Sequence, residues 1–210
     1  MVNTVASASD VWSQGVSDAS FIKNVFKLIH QGTFWAQYCN PRVSESIREL
    51  GTVTKHAATI IGVADLPSKI QKFIAGYQVE GSSMFSFSTL SAGTAVLSAA
   101  KDTAELANTF FISIPATTIT ALKGTSSFGS IVVSGKGLYD IISDSSSKSQ
   151  TSAARFLKVA SLVSHISLGV LGVASLFMKV AVPVMLGLAT LATGLAIATH
   201  FEKKIHPHVD

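Results

Sequence analysis

The side chains that could do chemistry in this chain are few. The run from Gly129 through Gly135, Lys136 and Gly137 has the look of a phosphate-binding loop. However, five residues separate its first two glycines where four are required, and Gly137 stands where Ser or Thr would hold magnesium. His200, Glu202, His206 and His208 gather near the C-terminus, and imidazoles can take a transition metal, yet their spacing matches no metal site. They read as polar groups at headgroup level. His165 lies inside an apolar stretch, where an ionisable group is a functional candidate. Its simpler role is a neutral imidazole bonded to a neighbouring helix near Ser161 or Ser164. Cys39 is the single cysteine, so no internal disulfide forms, and with no His/Asn partner in view it reads as a packing residue. No catalytic, metal or cofactor set emerges, and the expectation is a protein without enzymatic activity.

Composition bounds what must position these groups. Charged residues make up 13% of the 210-residue chain and the mean hydropathy is +0.45. Soluble chains carry about 25% charged residues. The formal charge of +4 is spread along the sequence. That distribution suits anionic lipid headgroups and does not form the dense basic patch of a nucleic-acid interface, so no nucleic-acid partner is expected.

The chain is organised around residues 157–201. Between Lys158 and Glu202 the only Asp, Glu, Lys or Arg is Lys179, which separates an apolar lobe at 159–178 from another at 180–199. About 20 apolar helical residues span a bilayer core of about 30 Å. One straight helix would be twice too long, so a bend is required, and Lys179 and Pro183 supply it. The expectation is a transmembrane hairpin with almost no loop. A buried helical pair in a water-soluble bundle is the alternative, although such helices normally show a polar face. Lys148, Arg155 and Lys158 precede the first lobe, and Lys203 and Lys204 follow the second. Positive flanks stay in the cytosol, which puts both ends there and Lys179 at the far surface. Gly169, Gly172, Gly187 and Gly194 offer close-packing surfaces, either between the two lobes or for a homo-oligomer in the membrane.

Residues 1–16 are polar, uncharged until Asp10, and lack the basic and apolar regions of a secretory signal peptide. They read as a disordered N-terminus. Residues 17–80 read as an amphipathic helical unit facing the cytosol. Asp18 or Ser17 caps a first helix running to about Tyr38, with Phe21, Val25, Leu28, Ile29 and Trp35 at helical spacing. Lys23, Lys27 and His30 share the opposite side. With Trp35 they form a face for a membrane surface or a protein partner. A second helix starts at Asn40-Pro41 and ends between Gly62 and Asp65, and Asp65 caps a third, ending near Tyr77.

Residues 84–142 are apolar and rich in small side chains. The uncharged runs 84–100 and 106–122 flank Lys101, Asp102 and Glu105, which makes a second, weaker hairpin conceivable with its turn at those charges. Small-residue helices packed in a bundle or against the membrane are the preferred reading. Residues 143–152 form a Ser-rich linker, and 202–210 a basic, His-bearing tail. The fold class expected is all-α: a helical integral membrane protein with a C-terminal transmembrane hairpin and an N-terminal amphipathic unit.

The paired lobes at 159–178 and 180–199, hinged between Lys179 and Pro183, resemble the bilobed hydrophobic domain of chlamydial inclusion membrane (Inc) proteins. The Ser/Thr-rich, nearly uncharged N-terminus resembles the secretion region of type III substrates. This resemblance implies export into the membrane of a pathogen vacuole, with the N-terminal region facing host cytosol and binding host proteins. This chain departs from that pattern in carrying its lobes at the C-terminus, behind a second apolar region. The helices at 21–39, 48–61 and 66–77 are more faintly similar to the amphipathic helices of the Pex11 membrane-elongation family. That likeness implies membrane curvature, produced by wedging an apolar face into one leaflet. The expected function is a non-enzymatic membrane protein that presents residues 17–80 to a protein partner. Membrane remodelling is the first alternative, and a pore or translocator built from oligomerised hairpins the second.

Overall fold

The computed structural model describes residues 18–78, 87–143 and 152–205. The expected disordered N-terminus, most of the Ser-rich linker and the tail with His206 and His208 lie outside them. Among the described residues the chain forms helices and no strands. In chain order they are α1 (Ala19–Cys39), α2 (Glu45–Ala64), α3 (Leu66–Gln78), α4 (Phe87–Phe110), α5 (Ala116–Ser143), α6 (Ser152–Ala174) and α7 (Val182–Ile205). The all-α class is as expected.

The α1 start is a side-chain cap. The Asp18 carboxylate accepts the backbone N–H groups of Ser20 at 2.8 Å and Phe21 at 3.2 Å, two donors that a helix N-terminus leaves open. α2 begins at Glu45 rather than at Pro41. Asn40 closes a turn first, its side chain accepting from the Arg42 N–H and its carbonyl from the Val43 N–H, each at 3.0 Å. At Asp65 the chain bends without stopping. The Asp65 carbonyl accepts the Lys69 N–H, and its carboxylate pairs with the Lys69 ammonium at 3.3 Å.

Two further boundaries are decided by the structure. The turn that the second-hairpin alternative placed at Lys101, Asp102 and Glu105 does not form, because α4 runs straight through them. Lys23 of α1 meets Asp102, Lys123 of α5 meets Glu105, and Lys101 stands beside Asp102 on α4 itself, so the backbone has no need to carry these charges to the surface. The break comes at 111–115, where Pro115 offers no N–H and the Asn108 side chain accepts from the Ile114 N–H at 2.8 Å. The C-terminal hairpin likewise has a real loop, at 175–181, instead of a hinge at 179–183. α6 ends at Ala174, whose carbonyl accepts the N–H groups of Phe177 and Met178. Pro183 sits in the first turn of α7, where a missing donor costs nothing, so it starts a helix instead of bending one. Lys179 lies in the loop, exposed.

Six helices close a ring. α1 packs on α2, α2 on α4, α4 on α5, α5 on α6, α6 on α7, and α7 returns to α1, while α3 lies outside against α4 and the end of α2. Ring neighbours run antiparallel. Phe21 meets His200 and Phe201 at one end of the α1–α7 contact, and Trp35 approaches Thr190 and Gly187 toward the other.

The inside of this ring is small and polar. Among the described residues the buried set comprises Phe21, three alanines and four glycines, together with Thr33, Thr54, Thr89, Asp102, Ser134, Ser164 and Thr193. Large apolar side chains point outward instead, with Phe156 70% and Phe177 85% exposed. This inverts the usual partition of a water-soluble domain. Many helical hydroxyls are satisfied within their own helix, such as Ser164 on the Ala160 carbonyl and Thr193 on the Ala189 carbonyl, both at 2.8 Å.

The four glycines of the apolar lobes do different jobs. A Cβ on Gly169 would lie 2.6 Å from Ile131 Cγ1 and 2.8 Å from the Ser127 carbonyl oxygen, and one on Gly172 would collide with the Ser127 side chain. These two let α6 approach α5, not α7. Gly187 is in ordinary contact range of Trp35, and Gly194 has open space around it. Gly169→Ala therefore overpacks a backbone contact, a penalty of about 1–3 kcal/mol that outweighs the helix-propensity gain of about 0.5–1 kcal/mol. Gly194→Ala keeps the gain alone. Thermal melts should show the first substitution lowering the midpoint and the second raising it.

Candidate functional site

The middle of the ring is a cavity of about 420 Å³. Five helices line it from near the middle of their lengths: Gln31 on α1, Ser98 on α4, Ser127 on α5, His165 on α6 and Thr193 on α7. A second space of about 170 Å³ lies between α1, α2 and α4, and the two share Lys27, His30 and Lys101 as a common wall.

An ion pair crosses the ring beside this wall. Lys23 Nζ on α1 donates to Asp102 Oδ2 on α4 at 2.7 Å, and Lys101 stands 3.3 Å from the other carboxylate oxygen. Burial pushes the Asp102 carboxyl up, but Lys101, Lys23 and Lys27 together pull it further down, so it sits below the usual carboxylate range. Lys27 makes no hydrogen bond or ion pair among the described residues. Its side chain is open to water in the cavities yet surrounded by protein, and burial, then repulsion from Lys23, push its pKa down to about 8. His30 is lowered as well, by burial first. It shares a hydrogen with the Gly51 carbonyl at 2.8 Å through Nδ1, which makes that nitrogen the donor.

Most of the expected outward face on α1 is therefore turned inward, while Lys27 stays exposed to solvent. Lys23 meets Asp102, Lys27 and His30 line the cavities, and Trp35 donates to the Thr190 hydroxyl on α7 at 3.2 Å. What α1 presents to the outside is Leu28, Ile29, Phe34 and Tyr38. The physical cause is Asp102. A carboxylate at the middle of α4 draws the ammonium groups of α1 across the ring, and the apolar stripe is left on the other side.

His165 donates through Nδ1 to the Ser161 carbonyl at 2.7 Å, a bond within its own helix instead of the expected bond to a neighbouring one. His200 faces α1, 3.8 Å from the Asp18 carboxylate and stacked near Phe21. Among the described residues no three metal-ligating side chains converge. The glycine run 129–137 is plain helix inside α5 and forms no loop. Cys39 is exposed at the end of α1, not packed. The residues that sequence reasoning missed are Lys101, Asp102, Gln31 and Thr193. The short charged group Lys101, Asp102 and Glu105 between two uncharged, small-residue runs was the available signal.

The second feature is the outer surface of the hairpin. α6 and α7 are long and apolar enough to cross a bilayer, and only 11% and 17% of their apolar windows are buried. The core helices of a water-soluble bundle would be mostly covered. No known protein family, curated protein or solved structure matches this chain.

Proposed function

We propose that this chain is a non-enzymatic integral membrane protein in which α6 and α7 cross the bilayer as a hairpin. Both ends of the hairpin face the cytosol, Lys179 lies at the far surface, and α1–α3 serve a protein partner. The observation that carries this reading is the uncovered apolar surface of α6 and α7 within an otherwise closed ring. Its likeness to the bilobed inclusion membrane proteins extends the proposal to a secreted effector in a pathogen-vacuole membrane, with α1–α3 on the host side.

Insertion in this form requires α7 to leave α1 and α6 to leave α5, against which Gly169 and Gly172 pack closely. In the α1–α7 seam Phe21 packs against His200 and Phe201, Gln31 donates to Thr193 and Trp35 to Thr190, and both threonines also stay bonded to carbonyls of α7. Once α7 has left, the cavity wall carrying Lys27 would be available to headgroups or a partner, while Lys23 stays paired with Asp102 and His30 with the Gly51 carbonyl.

Labelling of protein added to preformed liposomes tests this directly. In the closed ring Cys39 and Lys179 lie at the same end, because Trp35 packs near the start of α7. After release and insertion they stand on opposite sides. Cys39 is expected to react with an impermeant maleimide from outside. Lys179→Cys, in a Cys39→Ser background, should react only after permeabilisation. Labelling of both from outside would refute the hairpin, and protection of both would mean that α1 enters with it. The polar cavity favours a conduit as a second reading, for which dye release by the full chain is the corresponding observation.

A further inference from the structure

We infer that the cavity at the middle of the ring is a binding site for a phosphate-class oxyanion, held chiefly by Lys27 and Lys101. This does not depend on the membrane proposal, since the site belongs to the closed ring.

The charge balance comes first. Lys23, Lys27 and Lys101 surround a single carboxylate, Asp102, which leaves two positive charges uncompensated at the shared wall of the two cavities. Glu105, also at the edge of the smaller cavity, is engaged by Lys123 at 3.2 Å. Lys27 is open to water, yet it stands without a counter-ion beside Lys23 and Lys101, and that like-charge crowding disfavours its charged form. Here Lys27 could be neutralised by a mobile anion entering the larger cavity.

The donor set points to an oxyanion rather than a halide. Lys27 from α1 and Lys101 from α4 line the void together with Ser126, Ser127 and Ser130 of α5. Several donors arriving from different directions match a polyvalent ligand with several acceptor oxygens, and bonds from ammonium to such oxygens are charge-assisted. The space is larger than inorganic phosphate alone, so an ester substituent fits too. A soluble phosphate and a lipid phosphate headgroup present the same chemistry.

Other groups facing Lys27 set the pH response. They are Lys23 and His30 on α1, Lys55 on α2, Lys69 on α3, Lys101, Asp102 and Glu105 on α4, and His165 on α6. Because Lys27 loses its proton near pH 8 in the empty ring, anion binding above that pH must take up a proton, and affinity should fall as pH rises.

The full chain in mild detergent is titrated with inorganic phosphate, with chloride at matched ionic strength, and with micelles doped with short-chain phosphatidic acid. Calorimetry and the thermal midpoint are the readouts. Phosphate is expected to bind and raise the midpoint where chloride does not, and Lys27→Met and Lys101→Met should each weaken binding about tenfold or more. Lys27→Met should also raise the midpoint in the absence of phosphate, which loss of a merely structural lysine would not do. Binding of phosphatidic acid but not inorganic phosphate, with the same sensitivity to both variants, supports the site and identifies a lipid source. Phosphate and phosphatidic acid no better than chloride, or binding unchanged in both variants, would overturn the inference.

Discussion

Asp102→Ala is expected to destabilise the ring by about 3–5 kcal/mol, the penalty for removing one member of a largely buried ion pair and leaving the other charges in place. The side chains of Lys23 and Asp102 are 14% and 11% exposed, so water screens them little. The loss leaves Lys23, Lys27 and Lys101 mutually repelling across the α1–α4 gap. Urea unfolding followed by helical circular dichroism should show it. Replacing both partners, Lys23→Met with Asp102→Leu, should restore much of the stability, since a well-packed apolar pair often substitutes for a buried ionic one. An Asp102→Ala protein as stable as wild type would mean that the pair does not hold the ring closed.

The same cluster sets the pH dependence. Asp102 is depressed below its unfolded value, so its stabilisation is complete above the ordinary carboxylate range and disappears as pH falls through the folded pKa. Lys27 works in the opposite region. Its folded pKa is about 8 against 10.5 for the free side chain, so between those values the unfolded chain binds more protons and stability rises with pH. Thermal midpoints taken at pH 7.5 and 9.5 should increase in wild type, with a smaller increase in Lys27→Met.

Val163→Arg together with Leu191→Arg is expected to abolish insertion into liposomes. The two side chains are 46% and 51% exposed on the outer surface of α6 and α7, near the middle of each helix. In water these positions tolerate charge. At the centre of a bilayer each arginine costs about 2.5–3.5 kcal/mol, so the pair opposes insertion by roughly 5–7 kcal/mol. Val53→Arg on α2, at an equally open apolar position, serves as the control and should leave insertion unchanged. The measurement is flotation with liposomes, alongside circular dichroism to show that the helices are intact. If the double variant floats like wild type, α6 and α7 do not span the membrane.

Much of the helical architecture was legible in the sequence. Asp18 caps α1 because a carboxylate before a helix start finds two open N–H groups nearby, which is local chemistry. The apolar character of α6 and α7 is equally local, since hydropathy and run length add residue by residue. Boundaries were harder where charge was the guide. The charges at 101–105 resemble a turn when they are taken to need water, and Pro183 resembles a bend when its neighbours are taken to be helical.

What the sequence by itself determined is that this is an all-helical chain with two C-terminal helices apolar enough for lipid, because both properties are sums over neighbouring residues. What only the tertiary structure decided is which way the basic face of α1 points, where the α4–α5 turn falls, and which helix each glycine serves. Each of these turns on a partner far along the chain. Lys23 and Asp102 are 79 residues apart, and Gly169 is required by the Ser127 carbonyl of another helix. A periodic pattern shows that a helix has two faces, but the side that turns inward is chosen by whatever charge or backbone waits across the ring.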